Sequence, residues 1–120
     1  MPLARRVVTS MRARLTKLTK ELMLVPGLSG YETRVRKRLA NEMKSLGFET
    51  TTDRLGNLAC TLLGDAKAPS VMLFAHMDQL GFIVRKIEAN GWIRLERLGG
   101  VPERALASQE VLICVGEGRD

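Results

Sequence analysis

Histidine and cysteine are scarce in this chain. Among its 120 residues there is one histidine, His76, and there are two cysteines, Cys60 and Cys114. The cysteines are far apart and neither has a CxxC-type partner, so we expect two buried free thiols in a reducing compartment and find no support for a disulfide. Any imidazole chemistry in this chain therefore has to use His76.

Long apolar runs are also missing. No segment reaches the roughly 18 apolar residues that a bilayer-spanning helix needs, and the Val7-Val8 pair is too short for the apolar region of a secretory signal. Aromatic residues make up 4% of the chain while 45% of its residues are hydrophobic, so the core has to consist mainly of Leu, Val, Ile and Met. The length fits one small globular domain, and we expect a cytoplasmic protein without a membrane partner.

Acidic residues are missing from the start of the chain, where six basic residues precede Glu21. These residues are Arg5, Arg6, Arg12, Arg14, Lys17 and Lys20. Together with the net charge of +6, they permit three interpretations: a nucleic-acid patch, an organellar transit segment, or a solvated extension of the first helix. The first lacks aromatic interleaving and a recognition motif, so we expect no nucleic-acid partner and favour the helix extension.

Apolar periodicity predicts two helices in the first half of the chain. Leucines recur at helical spacing from Leu15 to the breaker Pro26-Gly27, which predicts an amphipathic helix over 15–25. Ser29 and Glu32 have the spacing of a capping box, which predicts that a second helix begins at Ser29. That helix should end at Gly47, a C-cap residue, and should bury a face containing Val35, Leu39 and Met43.

Short β-prone runs follow the helices. We predict strands at 48–52 and 58–63 joined by a turn at 53–57, and a hairpin of 81–87 and 92–98 around Asn90-Gly91, a strong hairpin signal. A further strand is predicted at 110–115. The run Val71-Met72-Leu73-Phe74-Ala75 follows Pro69 and has the length and composition of a buried strand. We expect the second helix to pack on a sheet that contains this run, which gives an α/β fold.

His76 lies directly after the predicted buried strand, two residues before Asp78. Alternate side chains of a strand point to the same side, so both residues would face one way and Met77 the other. A neutral imidazole is a good ligand for zinc-like ions, and a carboxylate beside it can orient the ring. A lone histidine at a strand end is also often a structural, hydrogen-bonded residue, so this motif alone leaves both interpretations open.

A longer series of motifs bears on that choice. The motifs, in chain order, are Pro26-Gly27-Leu28-Ser29-Gly30-Tyr31-Glu32, Asp53-Arg54-Leu55-Gly56-Asn57, His76-Met77-Asp78-Gln79-Leu80-Gly81-Phe82, Gly91-Trp92 and Gly99-Gly100. In order and spacing this series resembles the N-terminal part of the M42 family of metalloaminopeptidases. The family is also known as glutamyl or deblocking aminopeptidases, and some members carry an older endoglucanase label.

The resemblance implies a fold and a site. Residues 1–80 would be the N-terminal part of an α/β catalytic domain, and residues 81–120 would begin an inserted, β-rich, barrel-like domain used for dimer contacts. Such enzymes carry two divalent ions, commonly zinc or cobalt, and act on peptides as homo-oligomers. His76 matches the family's first metal ligand, and Asp78 matches the acidic catalytic residue that positions it. Gln79 stands where many members have glutamate.

This chain departs from the family in length. The bridging aspartate, the general-base glutamate and the remaining metal ligands of the family all lie beyond a point comparable to residue 120. We therefore expect an N-terminal fragment of an aminopeptidase with an incomplete metal site, inactive by itself. The alternative is a non-catalytic assembly module derived from such an enzyme, which would pair through an exposed sheet edge.

Overall fold

The computed structural model describes the backbone of residues 3–115 and the side chains of residues 10–115. Two helices come first, α1 (Leu3–Met23) and α2 (Thr33–Ser45). Two antiparallel strand pairs follow: β1 (Thr51–Thr52) with β2 (Leu58–Ala59), and β3 (Gly81–Ile87) with β4 (Ile93–Leu98). A 3-10 turn at Glu103–Ala105 is the last regular element of the described part. This mixture of helices and sheets is consistent with a fragment of an α/β fold.

Helix α1 ends at Met23, two residues before the predicted end of the helix, and extends the prediction toward the N-terminus. Among the described side chains, Arg12, Arg14, Lys17 and Lys20 are all exposed on it. Glu21 pairs with Arg38 of α2 at 2.6 Å and with Lys17 at 3.8 Å. From residue 10 onward the basic stretch is therefore a solvated continuation of the first helix, and the side chains of Arg5 and Arg6 lie outside the described ones. No helix within residues 3–115 is both long and apolar enough to cross a membrane.

Helix α2 ends as predicted but begins later. Gly47 has a φ of +83°, and its amide donates to the carbonyl of Lys44 at 2.9 Å, so the glycine C-cap is confirmed. The predicted capping box is wrong, because the helix begins at Thr33 and no side chain caps it. The Glu32 carboxylate instead accepts a hydrogen bond from the Gly30 amide at 2.7 Å. Ser29 is thereby left outside the helix.

The face of α2 that was predicted to be buried is covered only in part. Val35 is buried, with 5% of its surface exposed, whereas Leu39 and Met43 are half-buried. Val35 packs against the backbone of Gly27, where an added Cβ would collide with its Cγ2. The small core of the described residues is therefore the contact between α2 and the loop that precedes it.

The turn between β1 and β2 is confirmed, although both strands are shorter than predicted. The Asp53 carboxylate accepts hydrogen bonds from the amides of Leu55 and Asn57, both at 2.9 Å, and from the Asn57 side chain at 2.8 Å. Gly56 supplies the positive φ, +88°, that the turn requires. These bonds, first of all the one from the Asn57 side chain, lower the pKa of Asp53.

This lowered pKa predicts an acid-dependent contribution of Asp53 to stability. A carboxyl whose pKa is lower in the folded state stabilises the fold above its unfolded pKa, near 4, and loses that effect as the pH falls through its folded value. Asp53→Asn should therefore lower the melting temperature at pH 7, with the deficit shrinking below about pH 4. Thermal unfolding of both proteins from pH 7 to pH 2.5 tests this, and a deficit constant over that range would contradict it.

The hairpin of β3 and β4 is confirmed almost to the residue. Gly81 pairs with Leu98 at one end and Ile87 with Ile93 at the other, with a bulge between Val84 and Lys86. Gly91 has a φ of +87°, and its amide donates to the carbonyl of Glu88 at 2.9 Å. Arg85 and Glu96 form a cross-strand ion pair at 3.2 Å.

The predicted strand at 71–75 is wrong for this chain, and so is the predicted packing of α2 on a sheet containing it. These residues form no regular element in the described part, and Leu73 and Phe74 each have 92% of their surface exposed. A run that is apolar on both faces becomes a buried strand only when neighbours cover both sides, and residues 3–115 supply no such cover. The strand predicted at 110–115 is absent from the described part for the same reason.

The two cysteines are free thiols, as expected, but they are not both buried. Cys60 is half-buried and Cys114 is exposed. Cys114 lies in the apolar segment 111–115, whose side chains are exposed in the described part. The burial predicted for this thiol is therefore wrong, because no strand forms over 110–115 in the described part and the segment stays exposed.

Candidate functional site

The loop between the two helices contacts the segment 76–79, which contains the histidine motif. The Gln79 amide donates to the carbonyl of Gly27 at 2.7 Å, and Leu28 and Gln79 form an isolated parallel bridge. The Gln79 side chain donates to the carbonyls of Leu22 and Met23, both at 3.4 Å. These carbonyls lie in the last turn of α1, and that of Leu22 also accepts a hydrogen bond from the Val25 amide at 3.1 Å, so Gln79 ties the end of α1 to the segment.

His76 and Asp78 contact each other directly. The Nδ1 atom of His76 lies 3.0 Å from Oδ1 of Asp78 and 3.2 Å from the main-chain oxygen of Asp78. Met77, between them, is half-buried. The His76 side chain is 86% exposed, and no described residue bonds its Nε2. The ring is therefore held on its Nδ1 side while Nε2 faces solvent.

Asp78 is also bound at its second oxygen. The Ser29 hydroxyl donates to Oδ2 of Asp78 at 2.5 Å, across 49 positions of sequence. This hydrogen bond, followed by the weaker contribution of His76, lowers the pKa of Asp78. An ionised carboxylate accepts hydrogen bonds only, so a neutral His76 ring in this contact carries its proton on Nδ1 and has its lone pair on Nε2.

The chemistry of this donor set fits a zinc-like ion at one position. A neutral imidazole whose Nδ1–H is bound by a carboxylate is the arrangement found in many zinc proteins. A complete site needs three or four protein ligands, and among residues 3–115 no group of three His, Cys, Asp or Glu side chains could hold a metal ion. The roles predicted for His76 as a metal ligand and for Asp78 as a catalytic residue remain predictions.

Two residues at this site have contacts that the sequence did not predict. Ser29 was assigned to a helix cap, and Gln79 was given no role. Only their place in motifs shared with a peptidase family hinted at a site, because a contact between residues 29 and 78 leaves no periodic signal in the sequence. Both residues act through hydrogen bonds that the tertiary arrangement creates.

Comparison with known proteins shows which family this chain belongs to. The sequence profile of the M42 glutamyl aminopeptidases matches residues 56–120, a range that includes His76, Asp78 and the β3–β4 hairpin. The chain belongs to the M42 family. The resemblance drawn from the sequence motifs is thereby confirmed.

Two curated relatives show how much of an M42 protein the chain represents. It is 34% identical over 103 residues to a lysyl aminopeptidase of Pyrococcus furiosus, an alignment that covers 85% of this chain and 29% of that protein. It is also 34% identical over 101 residues to a glutamyl aminopeptidase of Lactococcus lactis subsp. cremoris, with 83% of this chain and 28% of that protein covered. The chain thus spans less than a third of the length of these relatives.

Proposed function

We propose that this chain is the N-terminal part of a metal-dependent aminopeptidase that releases N-terminal residues from peptides. The observation that carries the proposal is the state of His76 in an M42 chain: Asp78 binds Nδ1, and no described residue engages Nε2. The names of the relatives, lysyl and glutamyl aminopeptidase, support the reaction type. They differ in the residue they name, so the preferred N-terminal residue of this protein is left open.

In this proposal His76 holds one divalent ion, zinc or cobalt, through Nε2. Two such ions in the complete site supply Lewis-acid activation of water and of the peptide carbonyl. Asp78 keeps the imidazole ring oriented and its Nδ1 protonated. Gln79 and the loop 26–30 fix the segment that carries both residues, so the ligand is in place before the ion arrives, which lowers the entropic cost of binding.

The rest of the site is proposed to come from residues outside this chain. One imidazole leaves at least two protein ligands of a tetrahedral ion to be supplied, and a general base is also needed. The 120-residue chain alone should therefore be inactive. Peptides are the proposed substrates, and the cytoplasm is the proposed compartment, with no role for nucleic acid or membrane.

The hairpin of β3 and β4 is proposed to begin a β-rich dimerisation domain at residue 81, after a catalytic part formed by residues 1–80. Its apolar side chains support this, since Ile87 is 67% exposed and Trp92 is 74% exposed, and aromatic residues are enriched where proteins associate. A homo-oligomer would cover them. The same exposed groups favour the second candidate function, a non-catalytic assembly module that keeps the interface without the chemistry.

The proposed function predicts activity that depends on a free N-terminus and on metal. Full-length protein should hydrolyse aminoacyl-p-nitroanilides, lose that activity on dialysis against a chelator, and regain it with zinc or cobalt. The matched control is the same substrate with an acetylated amine, which should not be cleaved. The isolated 120-residue chain should show no activity in the same assay. A metal-loaded full-length protein that cleaves no member of a panel of twenty aminoacyl substrates would favour the assembly module.

A further inference from the structure

We infer that Ser29 is a positioning residue for His76: its hydroxyl fixes the Asp78 carboxylate, which holds the imidazole in the tautomer that offers Nε2 to a divalent ion. The inference concerns a residue 47 positions before the histidine, on a different part of the chain. Its importance for catalysis rests on the proposed function. The tautomer itself can be observed without metal or substrate.

The first support is that the two oxygens of the Asp78 carboxylate bond different partners. Oδ1 of Asp78 faces Nδ1 of His76 at 3.0 Å, and Oδ2 accepts the Ser29 hydroxyl at 2.5 Å. The terminal torsion of an aspartate is broad and two-fold, so a bond at one oxygen alone leaves the carboxylate free to rotate. The second bond removes that freedom. It also keeps Oδ1, rather than Oδ2, of Asp78 next to the His76 ring.

The second support is that Ser29 itself is held in place. The Tyr31 amide donates to the carbonyl of Leu28 at 2.7 Å, which closes a turn around Ser29. On the other side, the bridge between Leu28 and Gln79 attaches this turn to the segment after Asp78. Gly27 is buried against Val35, where no larger residue fits without a shift. The hydroxyl therefore projects from a backbone that is fixed relative to Asp78.

The consequence is that the exposed His76 side chain has a defined orientation and tautomer. The His76 side chain is 86% exposed, so packing does not orient it. Only its bonds to Asp78 do so, and an exposed ring held by one partner can exchange tautomers and rotate. An Nδ1–H ring with Nε2 unprotonated is the form that can bind a metal ion through Nε2. Ser29 thus raises the share of the population that is ready to bind, beyond what the contact of Nδ1 with the main-chain oxygen of Asp78 supplies.

The single histidine makes a direct test possible, because ring signals of the 120-residue chain need no assignment. Long-range ¹H–¹⁵N correlation spectra of the ¹⁵N-histidine-labelled chain, at a pH where the ring is neutral, report which nitrogen carries the proton. We expect the native ring to show a protonated Nδ1 and an unprotonated Nε2. In Ser29→Ala the two nitrogen shifts should move toward each other, as the tautomers mix. Ser29→Thr keeps the hydroxyl and should restore the native shifts.

The matched control is Ser45→Ala, which removes a hydroxyl that donates to the Glu42 carbonyl at 2.7 Å at the end of α2. It should leave the ring shifts unchanged, and circular dichroism of each variant verifies that the helices persist. Ring shifts that are identical in the native chain and in folded Ser29→Ala would overturn the inference, as would a native ring protonated at Nε2. Because no metal is present, a failure here differs from a failure of the proposed aminopeptidase function, which leaves the spectra unaffected.

In the full-length protein the same variants should change metal affinity. Loss of a group that orients a metal ligand typically lowers affinity by about 10–100-fold. Zinc affinity of Ser29→Ala, measured by competition with a chelating dye, should fall within that range, and Ser29→Thr should recover it. Equal affinity of Ser29→Ala and the native protein would overturn the role of Ser29 in metal binding.

Discussion

His76→Ala is expected to abolish the aminopeptidase activity proposed for the full-length protein, with kcat/KM falling by about a thousandfold or more. Metal ions in hydrolytic sites contribute several kcal/mol of transition-state stabilisation, and a loss of about 4 kcal/mol corresponds to about a thousandfold in rate. Alanine removes the imidazole whose Nε2 faces solvent, and no other histidine in these 120 residues could replace it. Steady-state kinetics on metal-saturated protein, together with the zinc content of the variant, measure the effect.

The matched comparison for this prediction is a change at the carboxylate beside the ring. Asp78→Asn should bind metal more weakly by about 10–100-fold, with a cost to turnover that can be larger. Asp65→Asn alters a carboxylate in an exposed loop that, among the described residues, accepts one hydrogen bond, from the amide of Lys67, so it should leave activity unchanged. A His76→Ala protein that retains both its zinc and its activity would show that the metal site lies elsewhere.

Val35→Ala is expected to destabilise the 120-residue chain by about 2 kcal/mol. The substitution deletes two methyl groups at about 0.8 kcal/mol each and leaves a cavity against Gly27 that adds to the cost. Such a loss is large for a chain with so little buried surface, since Val35 is the buried hydrophobic side chain of the described part. Urea denaturation followed by circular dichroism measures the change in the free energy of unfolding.

The chain offers the same substitution at an exposed position as a control. Val71 is 82% exposed, so Val71→Ala should change the unfolding free energy by no more than about 0.5 kcal/mol. Equal midpoints for the two variants would mean that the contact between α2 and the loop 26–30 does not stabilise this chain. A difference of the expected size would locate the core at that contact.

Local features were predictable from the sequence because they depend on neighbouring residues. The glycine that ends α2 at Gly47, the Asp53 turn and the Asn90-Gly91 hairpin each need only a few adjacent residues to form. The family was predictable as well, because its motifs around His76 occur in order along the chain. The pair of His76 and Asp78 was visible for the same reason, since it spans three positions.

Features that need distant partners were not predictable in this way. The run 71–75 has every local property of a buried strand, yet it stays exposed because a strand requires hydrogen-bonding neighbours and cover on its faces. Ser29 and Glu32 have the spacing of a capping box, but the Ser29 hydroxyl is bonded to Asp78 instead. A hydrogen bond from a hydroxyl to a charged carboxylate is stronger than one between a hydroxyl and a backbone amide. The carboxylate here, that of Asp78, is 49 positions away in the sequence.

The sequence by itself thus determined the family, the presence of two helices, the turns and the candidate ligand His76, all of which follow from short-range patterns. The tertiary structure decided how that ligand is held. It brought the loop after α1 against the segment 76–79, through Gly27 and Gln79, and so placed a hydroxyl on the free oxygen of Asp78. The physical reason is that hydrogen bonds between distant segments depend on the path of the backbone in space, which no local spacing of residues encodes.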